Sequence, residues 1–490
     1  MQAAAFERHL AFPHARGHSP PDGATGAAGG AACGDLVRVS IAVEADRVAD
    51  AGFDAHGCGA AVAAGSAAIA LVHGRRVLDA ARVGAEQISA ELGGLTAGKH
   101  HAAELAADAL HRGLGAAVRQ HAVLDPDPGR TLVAMSGGVD SAVAAVLSTR
   151  DGGETVAVTL ELWADPHNDG ERSCCSAQAV RSARELAHQM DLPHFTIDLR
   201  EEFGAGVVQP FLDDHGAGLT PNPCVRCNGH VRIDAMLDLA QRLGGVALAT
   251  GHYARTVDAG DGALLALAAD PAKDQSYMLA ALSPAALARL RFPIGELTKP
   301  EVRELARQAG LPVAAKPDSQ DLCFLAGTDR ASFLARHGGI RERPGAVVDR
   351  RGRVVGRHRG HHGFTVGQRR GLGVAAAEPL YVLEKDAVTN TVVIGPRAQL
   401  RRSRVLVRGA ILHRDGSTVD RVKLRYRSRP LGCRLAGDPG PGRHGRLELE
   451  LAEPVEGAAP GQTACLMAGD LIVGHATIAP QRAGQDARPS

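Results

Sequence analysis

Between residues 131 and 253, four short apolar runs (131–135, 155–163, 192–198 and 246–253) are separated by segments of helical Ala/Leu periodicity such as 142–147 and 176–190. Strands alternating with helices predict a parallel, doubly wound sheet whose ligands bind at the carboxyl ends of the strands. Upstream, 36–43 and 47–53 alternate apolar and polar positions like half-buried strands, and Ala/Leu-rich helical segments follow to about residue 120. Downstream, 281–311 sets Ala/Leu stripes against Lys, Arg and Glu, a helical pattern with a solvated face. From Pro379 onward, apolar runs at 380–383, 391–394, 404–407, 422–426, 446–449 and 471–473 recur between Gly/Pro turns, as in a small β-barrel.

The fold class expected is therefore α/β: a doubly wound parallel sheet, preceded by a small α+β domain and followed by a helical adaptor and a C-terminal barrel. Residues 1–32 end in a Gly-, Ala- and Pro-rich stretch whose composition cannot bury enough surface to order itself, so a flexible leader is expected there. The small domain covers 33–120, and a polar, Pro-containing bridge at 121–130 leads into the sheet domain at 131–280. An adaptor at 281–340, a basic loop with the barrel at 341–480 and a flexible tail at 481–490 complete the division.

The chain has 490 residues, enough for about three domains. Its formal net charge is only +1, so a nucleic-acid contact has to come from a local basic face. Residues 341–370 offer one: Arg341, Arg343, Arg350, Arg351, Arg353, Arg357, Arg359, Arg369 and Arg370 stand against Glu342 and Asp349. No signal-type segment and no run of 18 uncharged apolar residues occurs, so no membrane span and a cytoplasmic setting are expected. In a reducing compartment the nine cysteines are more often catalytic or metal-binding than paired.

The first chemistry-bearing stretch is Ser136-Gly137-Gly138-Val139-Asp140-Ser141, between the first apolar run and a helical segment. Glycines let the backbone approach a ligand closely, so its N–H groups and the positive helix end point at phosphate oxygens. The serines add donors, and Asp140 is placed to position Mg²⁺. No Lys stands where a Walker loop has one, which favours gripping the pyrophosphate that leaves ATP. The stretch resembles the signature of the PP-loop ATP pyrophosphatases, and that resemblance implies activation of a carbonyl oxygen by adenylation.

In the small domain, Cys33-Gly34-Asp35, His56-Gly57-Cys58-Gly59 and Lys99-His100-His101-Ala102 stand in the order of the NifU/IscU-type iron–sulfur scaffolds, which this region resembles. The resemblance implies Cys33, Asp35, Cys58 and His101 as ligands. Ala102 occupies the place of the family's third cysteine.

Two further segments, Asn222-Pro223-Cys224-Val225-Arg226-Cys227 and Asp318-Ser319-Gln320-Asp321-Leu322-Cys323, carry the reactive candidates, with Arg226, Arg232 and Lys316 available to favour thiolates. Together with the phosphate loop, with Ala249-Thr250-Gly251-His252-Tyr253, Lys273-Asp274-Gln275 and residues 365–373, they resemble the tRNA-specific 2-thiouridylases over about 132–478. That resemblance implies 2-thiolation of the wobble uridine of tRNA with release of AMP and pyrophosphate. It implies Cys227 as nucleophile, Cys323 as the persulfide carrier, and Ala134, Met135, Ser136, Gly137, Gly138, Val139, Asp140, Ser141, Leu160 and Gly251 as ATP contacts. Asn222, Pro223 and Cys224 would face the target base. His252, Lys273, Asp274, Gln275, Arg425, Tyr426 and Gln462 would touch tRNA.

Two accounts of the sulfur step stay open. In one, Cys323 persulfide attacks the adenylated carbon and Cys227 resolves the disulfide; in the other, Cys224, Cys227 and Cys323 ligate a [4Fe–4S] cluster that binds sulfide. Rival functions are another PP-loop synthetase, amidating or argininosuccinate-forming, and a non-catalytic cluster or sulfur carrier. The expected partners are tRNA and a sulfur donor (a cysteine desulfurase or sulfur carrier), with a monomeric chain. Cys174, Cys175, Cys433 and Cys465 are expected to be structural.

Overall fold

The computed structural model describes residues 2–30, 34–121, 123–150, 152–165, 176–318 and 322–481. Cys33, Cys174, Cys175 and all of the expected tail but Gln481 lie outside them. The chain forms two compact units, one of Met1–Glu201, Asp234–His252 and Arg289–Ala326, the other of Glu202–Ile233, Tyr253–Ala288 and Gly327–Ser490. The chain thus crosses between units inside both the expected sheet domain (131–280) and the expected adaptor (281–340), neither of which is a body of its own.

The first unit begins with α1 (Gln2–Ala11), β1 (Ala24–Gly29), β2 (Leu36–Glu44) and β3 (Arg47–His56). Next come α2 (Gly59–Val72), α3 (Val77–Ala80), α4 (Ala85–Glu91) and α5 (Ala97–Gln120). Strands β1, β2 and β3 form an antiparallel sheet in that order. Residues 2–30 of the expected flexible leader are therefore folded. Its small residues are what let β1 lie flat on α5: Ala24 and Ala28 are buried, and a Cβ at Gly26 would sit 2.2 Å from the Gly113 nitrogen. Composition that resembles disorder here serves close packing.

The same unit continues with β4 (Asp127–Ala134), α6 (Val139–Arg150), β5 (Thr155–Glu161), α7 (Ala177–Gln189), β6 (His194–Asp198) and β7 (Gly245–Thr250). With the short strand Leu290–Arg291 they build an all-parallel sheet in the order Leu290–Arg291, β7, β4, β5, β6. This is the expected doubly wound α/β core, its strand β5 buried along its whole length because both faces are covered. Strand β4 starts inside the expected linker, at Asp127.

As the edge strand, β6 would leave its outward N–H and C=O groups unpaired, and the N-terminal elements supply the partners. His194 N donates to Ala81 O (3.0 Å), the His111 ring meets His194 O (2.8 Å) and Arg119 donates to Asp198 O (2.7 Å). At Gly115 a Cβ would lie 2.0 Å from Thr196 O. Residues 111, 115 and 119 recur at about 6 Å along α5, and carbonyls 194, 196 and 198 at about 6.6 Å along β6. Helix and strand therefore stay in step. Asp108, buried, is clasped by Arg181 (2.7 Å) and Arg184 (2.8 Å) of α7, and Arg112 Nε reaches both Glu161 oxygens at 3.1 Å.

The second unit contains a four-stranded sheet ordered Val354–His358, Gly345–Val348, Thr391–Pro396, Leu380–Asp386. The expected basic loop thus includes two strands, unseen in the pattern because in Val354–His358 only His358 is buried. Six strands close a barrel: Arg401–Leu412, Gly442–Glu456, Leu431–Leu435, Arg421–Lys423, Thr463–Ala468 and Leu471–Ile478, the last pairing back to the first. Val405, Val407, Leu449, Leu466 and Ile478 fill it. Among the described residues no helix is long and apolar enough to cross a membrane.

His111, His188 and His194 pack together where α5 meets the parallel sheet, with ring centroids 5.3 to 6.4 Å apart. Burial keeps all three neutral, pushing His188 down to about 4 and the other two well below the ordinary range. Each titrates lower in the fold than in the unfolded chain, so the unfolded chain takes up protons first on acidification. Stability contributed here is fully present above about pH 6.5 and is lost as the pH falls toward about 4, by up to ~1.4 kcal/mol per histidine per unit. Urea midpoints measured near pH 7.5 and near pH 5 are expected to separate clearly for the wild type and less for His188→Gln; equal separations would exclude these histidines as the cause.

Candidate functional site

The phosphate loop lies in the first unit. Leaving β4, the chain turns through Ser136 to Gly138 and enters α6, with Gly137 at φ +68° and a would-be Cβ 3.1 Å from Ala179 O. Ser141 Oγ donates to Gly138 O (3.0 Å) and accepts from Ser136 N (3.1 Å), so its hydroxyl braces the loop from inside. Thr159 Oγ1 donates to Met135 O (3.0 Å) and meets His194 Nε2 (2.9 Å), fixing the strand end just before the turn. Gly251, closing β7, has no room for a side chain: a Cβ would lie 2.6 Å from Ser141 N. Leu160 is buried on β5, and His252 Nδ1 pairs with Thr250 Oγ1 at 2.9 Å.

Two lysines not anticipated from the sequence reach this loop. Lys299, buried, bonds both Asp140 oxygens (2.7 and 2.9 Å) and Asp318 Oδ1 (2.8 Å), and Arg303 backs Asp318 at 3.1 Å. Lys316 Nζ donates to Gly137 O (2.8 Å). The cation that a Walker loop carries in its own sequence is here supplied from more than 150 residues downstream. The only local signal was Thr298 with Glu301, a capping box that fixes Lys299 in the first turn of the helix Lys299–Gln308. A nucleotide fits this cradle: glycines give access, an ammonium already sits against Asp140, and backbone donors at the start of α6 face the turn.

At the other end of this unit Asp35, Cys58 and His101 come together, with ligand atoms within 4.8 Å of one another. Asp35 accepts from Cys58 N (2.8 Å) and Sγ (3.3 Å), and its carboxyl is lowered chiefly by that backbone N–H. Gly57, at φ +121°, makes the approach possible, since a Cβ there would overlap Asp35 Oδ1 at 2.0 Å. His101 Nδ1 faces Gly98 O (3.1 Å) and Nε2 faces Asp35 Oδ2 (3.1 Å), the arrangement in which a metal-ligating imidazole is held by a carbonyl behind it. These three donors, S, N and O, can hold one thiophilic ion; Ala102 beside them is buried and donates nothing. Cys33, the fourth expected ligand, lies outside the described residues.

The second unit gathers the base-facing candidates. Asn222 caps the short helix Pro223–Cys227, its Oδ1 accepting from Cys224 N (3.1 Å) and Val225 N (3.4 Å). Cys224 and Cys227, three apart, share one face of this turn; Cys227 is buried and Cys224 half-buried. Gln462 Nε2 donates to Thr220 O (2.7 Å) and Pro221 O (3.3 Å), and so holds the segment that leads to the cap. Asp274 is buried, accepting from Ala268 N and Ser276 Oγ and paired with Lys423 at 2.9 Å. Gln275 Oε1 accepts from Tyr253 N (3.0 Å). Expected as RNA contacts, Gln462, Asp274 and Gln275 are thus engaged in shaping the segment. Tyr426, whose hydroxyl is pushed up by burial, has Lys273 among its charged neighbours and lies 6.4 Å from the Tyr277 ring. Arg425 donates to Gly457 O.

Two of the three expected thiolate partners are engaged elsewhere: Arg226 donates to Gly206 O and Lys316 to the phosphate loop. Cys227 belongs to the second unit and Cys323 to the first. Burial pushes the Cys433 and Cys465 thiols up to about 12, which makes them poor nucleophiles.

Four family models match the chain: the NifU-like N terminal domain over residues 4–122, the tRNA methyl transferase HUP domain over 129–327, the tRNA methyl transferase PRC-barrel domain over 331–396 and the aminomethyltransferase beta-barrel domain over 410–478. The chain is 44% identical over 488 residues to a bifunctional protein NifU/MnmA of Rubrobacter xylanophilus, covering 96% of this chain and 97% of that one. It is 40% identical over 361 residues to the tRNA-specific 2-thiouridylase MnmA of Geobacter metallireducens (71% of this chain, 96% of that one). With the MnmA of Thermobifida fusca it shares 43% over 357 residues (71% and 95%).

Lys299→Met would leave Asp140 and Asp318 facing each other without the ammonium. A loss of about 2 kcal/mol in stability and at least tenfold weaker ATP binding are expected, read by denaturation and calorimetric titration. Cys58→Ser is expected to weaken Zn²⁺ binding by about tenfold or more in competition with a chromophoric chelator, whereas Ala102→Cys strengthens it; unchanged affinity in both variants would exclude the Asp35–Cys58–His101 cluster as a metal site.

Proposed function

The chain belongs to the tRNA-specific 2-thiouridylases that carry a NifU-like N-terminal domain, and from that membership we propose how its parts divide the reaction. It is a tRNA sulfurtransferase that replaces the 2-oxygen of a uridine with sulfur. The uridine is the wobble base, and Asn222, Pro223 and Cys224 face it. The phosphate loop binds ATP, and Mg²⁺ is placed at Asp140, where it would take the place of the Lys299 ammonium that now bonds both carboxylate oxygens. Uridine O2 attacks the α-phosphorus, the Pα–O bond to pyrophosphate breaks, and the 2-oxygen becomes part of an AMP leaving group.

Cys323 carries the sulfur as a persulfide. Its outer sulfur attacks C2, AMP leaves, and the base is joined to Cys323 through an S–S bond. Cys227 thiolate then attacks Cys323 Sγ, the S–S bond to the base breaks, and 2-thiouridine departs, leaving a Cys227–Cys323 disulfide that an external thiol reduces. The observation that carries this reading is the turn capped by Asn222, in which Cys227 is buried and Cys224 half-buried. A second reading rests on Cys224 and Cys227 sharing one face: with Cys323 they would hold a [4Fe–4S] cluster, which supplies an iron able to bind sulfide. The Asp35–Cys58–His101 group receives sulfur or metal from a donor, a cysteine desulfurase or sulfur carrier, for this chemistry. The protein acts in the cytoplasm.

Cys227→Ser and Cys323→Ser are each expected to abolish 2-thiouridine in tRNA, by mass spectrometry of digested nucleosides, while ATP binding stays within about twofold of wild type. Thiolation surviving in either variant would remove both accounts of the sulfur step. A protein free of iron that still thiolates from persulfide would remove the second alone.

A further inference from the structure

Five basic side chains of the second unit meet at one short turn. Lys385 lies on strand Leu380–Asp386, Arg330 opens the helix Arg330–Gly338, His215 sits near the end of the helix Gln209–Gly216, and His361 and His362 belong to the turn His361–Gly363. Lys385 Nζ donates to Phe364 O (2.8 Å) and Arg330 donates to Gly363 O (3.3 Å), so both cations are drawn to adjacent carbonyls. Neither forms an ion pair among the described residues. His215 is 3% exposed, and its Nδ1 has no hydrogen-bond partner; His361 Nδ1 meets Asn390 Oδ1 (3.1 Å) while its buried Nε2 has none.

Carboxylates on the surrounding elements point elsewhere. Asp213 accepts from Gln209 (2.8 Å), Asp329 from Ser332 (2.6 Å), and Asp386 from the N–H groups of Val388 and Thr389. Asp214 has Arg408 and Arg226 as its charged neighbours, and Glu384 is not among the groups acting on Lys385 or Arg330. What faces His215 is Arg330, Lys385, His362 and His361. Lys385 is accordingly pushed down to about 8 by burial and by Arg330.

Burying one cation beside another costs desolvation and repulsion together, and buried charges are ordinarily paired. A metal ion would add a third positive charge; an anion would relieve the first two. We propose that this cluster binds a phosphate group, and that the phosphate belongs to the backbone of the tRNA substrate. The cluster presents N–H donors, which suit an acceptor-only oxyanion and carry no base readout. The arginines of residues 341–370 flank it in sequence, extending the basic surface that a polyanion follows. The proposal rests on tRNA being the substrate.

The test uses the full chain with Lys385→Met, and Arg330→Gln as a second variant. Fluorescence titration of a tRNA transcript over a range of salt is expected to show about tenfold weaker binding for either variant. The slope of log Kd against log salt is expected to fall by about 0.7–0.9, one phosphate contact. Lys385→Met should meanwhile raise the Tm of the RNA-free protein, by about 2–4 °C, because an unrelieved buried charge is gone. Stability up with RNA affinity down is a pairing that a merely structural lysine would not give. A lower Tm with an unchanged salt slope would overturn the proposal. Inorganic phosphate that stabilises the wild type but not Lys385→Met, with the tRNA slope unchanged, would assign the site to a free anion and overturn the tRNA assignment. Wild-type protein that binds no tRNA would overturn the functional reading itself.

Discussion

Everything in the first unit depends on how the open edge of the parallel sheet is covered. Strand β6 presents His194, Thr196 and Asp198 carbonyls outward, and α5 answers with His111, Gly115 and Arg119 at matching rise. Because helix α5 also packs on β1 and β2, the NifU-like elements and the nucleotide-binding sheet share one body. An edge that would otherwise invite another chain is used to fuse two modules. The buried Asp108, clasped by two arginines of α7, and Glu104 one turn earlier beside Arg181 tie α5 to α7 by charge.

That docking has a consequence for the chemistry. Helix α7, whose Arg181 and Arg184 meet α5, also supplies Ala179 and Ser182 beside Gly137 of the phosphate loop. His101, in the first turns of α5, belongs to the Asp35–Cys58–His101 group. One helix pair therefore joins a thiol-containing donor cluster to a phosphate loop through rigid elements, which fixes both within a single fold.

In both units, the candidate site residues are held by others through buried hydrogen bonds and ion pairs. Lys299 and Arg303 hold Asp140 and Asp318, Gln462 holds the approach to Asn222, and the Asp274–Lys423 pair anchors the turn that carries Lys273 and Gln275. Placement by buried, fully bonded polar groups is how a site is made stiff enough for attack at one atom. The Lys385–Arg330 cluster is built the opposite way, with cations brought together and no carboxylate paired with either among the described residues.

The sequence by itself determined the doubly wound sheet, the barrel and the loop at Ser136–Ser141. Each of these is written in neighbouring residues, as a hydrophobic period or a glycine turn, and local physics suffices to read it; that Asn222 caps a short helix through Cys224 and Cys227 came from the structure. Only the tertiary structure decided that residues 2–30 are folded, that two strands run through the basic stretch near 350, and that Lys299 and Lys316 serve the phosphate loop. Long-range pairing carries no period: a Gly/Ala stretch becomes a strand only when α5 lies close enough to need no side chains there, and a lysine becomes part of a phosphate site only when the fold brings a carboxylate to it from more than 150 residues away.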